Sequence, residues 1–160
     1  MAELKATQLR GTQDLVAEKG PAGSIKSLVA TVVPGATASG TTLNFGYIPS
    51  NARILYNSVV MSDDLTTTGA ATLDIGLGPV DGNITADPDA FVAGLDVTGA
   101  VAATSLIADI ANTGKQAWQF VNGQTSDPGG QLKVYGSIVD AAVAGVTDGD
   151  VSIEVLYYVD

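Results

Sequence analysis

The run Val151-Ser152-Ile153-Glu154-Val155-Leu156-Tyr157-Tyr158-Val159 constrains the fold of this chain more than any other feature. Every second residue is Val, Ile, Val, Tyr and Val; Ser152 and Glu154 head the intervening set, followed by Leu156 and Tyr158. Side chains of a strand alternate between two faces, so the first set predicts a core face. Most of the second set points to water or to a neighbour. Tyr157 and Tyr158 fall on opposite faces, which makes Tyr158 a candidate subunit contact, since Tyr is favoured there.

Similar runs recur at short intervals from about Ser27 onward. Ser27–Val33 is apolar on both faces. Thr41–Tyr47 alternates Leu43, Phe45 and Tyr47 against Thr42, Asn44 and Gly46. Ala52–Met61 is long and apolar, which predicts one central strand. Ala71–Leu77 sets Ala71, Leu73, Ile75 and Leu77 against Thr72, Asp74 and Gly76. Lys115–Val121 puts Trp118 and Phe120 on one face, and Gln131–Val139 does the same with Leu132, Val134 and Ile138. With the last run these make seven strands. An eighth is open within Gly99–Ile110, where periodicity does not decide between strand and helix.

Turn chemistry separates the runs at Pro34-Gly35, Asp127-Pro128-Gly129-Gly130 and Asp148-Gly149. One short helix is expected over Asp87-Pro88-Asp89-Ala90-Phe91-Val92-Ala93-Gly94. Asp87 suits the cap, Pro88 the first helical position, Asp89 the positive end of the helix dipole, and Gly94 the stop. The expected fold is all-β: a two-sheet antiparallel β-sandwich of jelly-roll type, with one short helix and an N-terminal arm. An immunoglobulin-like sandwich is the alternative, since such domains need not carry the Cys-Trp-Cys signature.

Charge divides the chain. Residues 1–26 carry Lys5, Arg10, Lys19 and Lys26 against Glu3, Asp14 and Glu18, a net of +1. Residues 27–160 carry Arg53, Lys115 and Lys133 against 14 acids, and the whole chain stands at −10. Apolar residues in the first segment are sparse, and Gly11, Gly20, Pro21 and Gly23 interrupt any helix. Residues 1–26 therefore read as an extended arm beside a sandwich of residues 27–160. The arm is either a loose terminus or a segment that docks on a neighbour through Lys5, Arg10 and Lys19.

The chain has no His and no Cys, the residues most used in nucleophilic, acid–base and transition-metal chemistry. No dinucleotide or phosphate loop and no nucleophile elbow is present. Asp81, Asn83, Asp87 and Asp89 cluster, but the EF-hand pattern fails at Ala86 and Val92. They read as an incomplete Ca²⁺ site or as solvated loop acids. Trp118 reads as core or as a sugar-stacking platform. No cofactor, metal or catalytic residue is expected, and the acidic body argues against nucleic acid as a partner. No stretch approaches the roughly 18 uninterrupted apolar residues of a membrane-spanning helix, and no signal peptide or membrane partner is expected.

Tyr47-Ile48-Pro49-Ser50-Asn51-Ala52-Arg53-Ile54-Leu55 resembles an entry found in small capsid decoration (cement) proteins of tailed bacteriophages, Ile-Pro-x-x-Ala-x-Ile leading into a long strand. The likeness continues through Asp63-Asp64-Leu65, the run Ala71–Leu77 and the segment Asp87–Asp96. It spans roughly residues 43–98, and the terminal run fits as well. The resemblance implies a jelly-roll protein, usually a homotrimer, on the outer surface of an icosahedral virion. There it would bind the major capsid protein at subunit junctions and clamp them against internal DNA pressure. No catalytic residue travels with the family. Another virion part, such as a head-fibre base or tail protein, and a carbohydrate-binding sandwich for host attachment are the alternatives.

Overall fold

The computed structural model describes residues 3–5, 24–65, 69–144 and 149–160. They form two five-stranded sheets facing each other. The first has the order β1 (Glu3–Lys5), β4 (Thr42–Pro49), β10 (Gln131–Val139), β7 (Thr72–Gly78), β8 (Asp87–Asp96). The second has the order β2 (Lys26–Val32), β12 (Val151–Tyr158), β6 (Val59–Ser62), β9 (Val101–Ser105), with β5 (Arg53–Ile54) also on β12. A short ribbon of β3 (Ala36–Thr37) and β11 (Val143–Ala144) stands apart. Every pairing is antiparallel except β1 with β4.

Alternation builds the core as the sequence predicts. Val151, Ile153, Val155 and Tyr157 of β12 are buried, as are Ala71, Leu73, Ile75 and Leu77 along β7 and Leu132, Val134 and Ile138 on β10. The two inner faces join in one apolar core. Burying side chains of this kind contributes roughly 1.5–3 kcal/mol each.

Four expectations are corrected, each by a tertiary contact. Asp87–Gly94 is not a helix; it belongs to the edge strand β8. Leu73 pairs with Leu95 and Ile75 with Val92, while Phe91 is buried edge-on to Phe120 at 5.2 Å. An edge strand tolerates Pro88 because its missing N–H is not needed inward. The strand is heavily bulged: five steps along β8, from 87 to 92, match two along β7, from 77 to 75. Asp74 Oδ1 fixes the bulged backbone by accepting the Gly94 N–H at 2.7 Å. The helix signals at 87–94 are therefore satisfied by bulge and edge geometry instead.

Ala52–Met61 is two strands, β5 and β6, lying along the same side of β12. Residues 55–58 face only Val155 and Leu156, an insertion of two residues. An even insertion preserves the face, so Ala52, Ile54, Ser58, Val60 and Ser62 all remain buried. Ser58 fills the gap in the ladder: its hydroxyl accepts the Leu156 N–H at 2.9 Å and donates to the Leu156 carbonyl at 3.2 Å.

In β4 the alternation breaks at Phe45. Val134 pairs with Gly46 and Tyr135 with Asn44, leaving Phe45 as the extra residue of a β-bulge. Ile48 rather than Tyr47 is then buried. Gly46 adopts φ 142°, and a Cβ there would lie 2.8 Å from Leu28 Cδ1. The Asn44 side-chain oxygen closes the bulge by accepting the Gly46 N–H at 3.1 Å.

Lys115–Val121 is not a strand; Ala117–Phe120 forms a 3-10 turn. Its first two N–H groups are taken by the opposite loop, Ala117 donating to Ala52 at 2.8 Å and Trp118 to Ser50 at 3.1 Å. The open segment 99–110 resolves as strand β9 followed by a 3-10 turn at Ile110–Asn112.

Candidate functional site

The described residues among those singled out in the sequence do not converge on one place. Lys5 ends β1, paired in parallel register with Asn44 on the edge of the first sheet. Arg10 and Lys19 lie outside the described residues. Tyr158 ends β12 opposite Arg53, half-buried, at the far end of the second sheet.

Tyr158 belongs to a polar corner. Arg53 Nε donates to Asp160 Oδ2 at 2.6 Å, and Arg53 Nη1 donates to the Gly114 carbonyl at 3.0 Å. The bond to Asp160 raises the guanidinium further above its ordinary value. This pair is solvated, and exposed ion pairs contribute little to stability. Its effect is local: it closes the C-terminus over the loop carrying Gly114.

The loop acids separate. Asp81 sits at φ 58° in an exposed turn. Asp87 is half-buried at the start of β8, and its Oδ2 accepts the Asn122 N–H at 2.6 Å, tying β8 to the segment after the 3-10 turn. Burial raises the Asp87 carboxyl above the ordinary carboxylate value; the Asn122 N–H opposes this, and neighbouring Asp89 adds to it. Among the described residues, no three His, Cys, Asp or Glu side chains gather as a metal site.

Behind these acids Tyr135 stands on the outer face of the first sheet, 6% exposed. Burial, and then the charges of Asp87, Asp89 and Asp74, push its hydroxyl up to about 12. Lys133 Nζ lies 5.4 Å from the ring centroid, within cation–π range. Trp118 is half-buried against the core, and its indole N–H donates to Gln116 Oε1 at 2.7 Å. That arrangement favours the packing role over an open stacking platform.

Sequence reasoning missed the outer face of the second sheet. Cross-strand register places Thr31, Ser152 and Met61 in one row, Val29, Glu154, Val59 and Ser105 in the next, and Ser27 with Leu156 in a third. Val29 is 53% exposed and Met61 46%. The signal was present in Ser27–Val33, which is apolar on both faces, but only the register shows which residues share the surface.

The fold has counterparts among solved structures. A chain of the Ralstonia phage GP4 capsid superimposes with a TM-score of 0.63 at 21% identity, covering 88% of this chain and 87% of that one. A chain of the cyanophage Pam1 capsid asymmetric unit gives a TM-score of 0.51 at 21% identity, covering 88% and 89%. At this identity the likeness is one of fold. No family model matches the chain. No curated protein matches it either.

Proposed function

We propose that this chain is a non-enzymatic virion structural protein: a decoration (cement) protein that binds the outer capsid surface and stabilises contacts between major capsid subunits. The observation that carries this reading is the end-to-end likeness to a chain of a phage capsid, over 88% of this sequence. A match of that extent concerns the whole sandwich and not a shared hairpin. The strand order also supports a jelly roll. If the eight main strands β2, β4, β6, β7, β8, β9, β10 and β12 are lettered B to I, the sheets read B-I-D-G and C-H-E-F. The resemblance of residues 43–98 to decoration proteins points the same way.

In this reading the protein acts by bridging. A clamp requires a rigid body and at least two attachment points, and linking two contacts raises the effective concentration at the second. The sandwich supplies the body. The arm, with Lys5, Arg10 and Lys19, supplies one attachment to carboxylates of a neighbouring subunit, and a homotrimer multiplies it. The test is to add the full chain to capsids assembled without it. Saturable binding and a raised temperature of capsid rupture are expected. Absence of binding, or binding that leaves rupture unchanged, would refute the cementing role.

A further inference from the structure

We infer that the outer face of the second sheet is the surface by which the sandwich seats on a protein partner, and that the partner presents one Lys or Arg among apolar side chains. This rests on the reading above, in which the partner is a capsid subunit. The face is built from β2, β12, β6 and β9. Its outward residues are apolar or hydroxylic around a single carboxylate: Val29, Met61, Val59 and Leu156, with Thr31 and Ser152, surround Glu154. The other sheet differs. Asp74, Asp87, Asp89 and Asp96 all lie on its β7–β8 side. In a chain of net charge −10, the second sheet is thus the broad surface where another acidic body meets least repulsion.

Glu154 selects the occupant. It stands between Val29 and Val59 across the strands, and among the described residues no side-chain hydrogen bond or ion pair reaches its carboxylate. Covering it without a cation would bury a charge unpaired, which is strongly unfavourable. A second copy stacked face to face would set one Glu154 against the other. Among the described residues no cation stands in the outward rows of this face: Lys26 of β2 alternates with the inward set of Leu28 and Ala30, and Arg53, at the far end of β12, is held by Asp160. A different protein surface that brings its own cation satisfies both requirements, and self-association is left to other surfaces.

Four strands about 4.8 Å apart, of 7, 8, 4 and 5 residues, present roughly 400 Å², about half of one partner's share in a stable interface. The face therefore works with a second attachment and not alone, as a bridging protein requires.

The experiment compares four full-length variants for binding to capsids assembled without the chain: Val29→Asp, Met61→Asp, Glu154→Lys and, on the opposite sheet, Ser137→Asp. All four positions point away from the core, and melting curves verify the fold. The first three are expected to weaken binding by about tenfold or more, and Ser137→Asp to leave it unchanged. Should Val29→Asp or Met61→Asp fail to fold, Glu154→Gln replaces it and is expected to weaken binding less than Glu154→Lys. Binding by wild type and by all second-sheet variants alike would overturn this face while leaving the decoration role intact. Wild type that does not bind would overturn both. Loss of a free oligomer with unchanged capsid binding would name a second copy as the occupant and overturn the inference.

Discussion

At the scale of single residues, the tightest constraint falls on Gly76. A Cβ there would lie 2.0 Å from the Asp87 carbonyl oxygen and 2.5 Å from the Pro88 carbonyl carbon, both backbone atoms. Backbone cannot rotate aside as a side chain can, so β8 would have to lift off β7. Gly76→Ala is expected to destabilise the fold by about 3 kcal/mol or more, read from the denaturation midpoint. A wild-type midpoint in that variant would contradict the β7–β8 packing. Asp87 gives a prediction in pH. Its folded carboxyl is raised, chiefly by burial, so the folded state holds the proton more tightly than the unfolded state. Its charged form therefore costs stability at neutral pH, and that cost is relieved as pH falls through the raised value, above the ordinary carboxylate range. Asp96 works in the opposite sense. The Thr98 hydroxyl and N–H hold its pKa down, and the stability it contributes is lost only as pH falls through that lowered value. The melting temperature of Asp87→Asn should thus rise less than that of wild type between neutral pH and the upper carboxylate range. Parallel curves would exclude Asp87 as the cause.

At the scale of elements, the break between β5 and β6 depends on one hydroxyl. Ser58 is fully buried and serves both backbone groups of Leu156. Ser58→Ala removes the partner of the Leu156 N–H, while the Leu156 carbonyl keeps the Leu55 N–H at 2.8 Å; the unmet N–H gives an expected cost of about 1–3 kcal/mol. Urea unfolding should show a lower midpoint at an unchanged m-value; a midpoint equal to wild type would mean that water replaces the hydroxyl. The bulge in β4 operates by the same physics. One extra residue shifts alternation by one, so Phe45 and Ile48 share the core that Leu43 begins. Here the Asn44 side-chain oxygen accepts the Gly46 N–H, and Gly46 supplies the backbone conformation the bulge needs.

At the scale of the whole molecule, the arm and the sandwich make separable contributions in the proposed role. Within residues 1–22 the described stretch, Glu3–Lys5, pairs with three residues of β4. Removing residues 1–22 is expected to lower the melting temperature slightly, leave unfolding cooperative, and weaken capsid attachment. Attachment by the full chain should weaken with salt, since arm cations facing carboxylates are screened. A truncation that unfolds, or that binds as tightly as the full chain, would defeat this division. Light scattering of the free protein tests the proposed homotrimer; a clean monomer at tens of micromolar, an order of concentration at which a stable interface persists, would restrict trimer formation to the capsid.

The sequence by itself determined the fold class and most of the core. Where a strand has one buried face and one open face, as β7, β10 and β12 do, the alternation is written in the residues, and Leu73, Ile138 and Ile153 were legible as core. What it left undecided depended on contacts between distant segments. Asp87–Gly94 satisfies the local rules of a short helix, yet pairing with β7 and the burial of Phe91 against Phe120 outweigh them, because short helices are marginal without packing. Ala52–Met61 reads as one strand because a two-residue insertion does not disturb a period of two. The surface was the least legible part. Val29, Met61 and Glu154 come from three separate segments and share a face only through cross-strand register. Register is a property of the assembled sheet, and tertiary structure alone decides it.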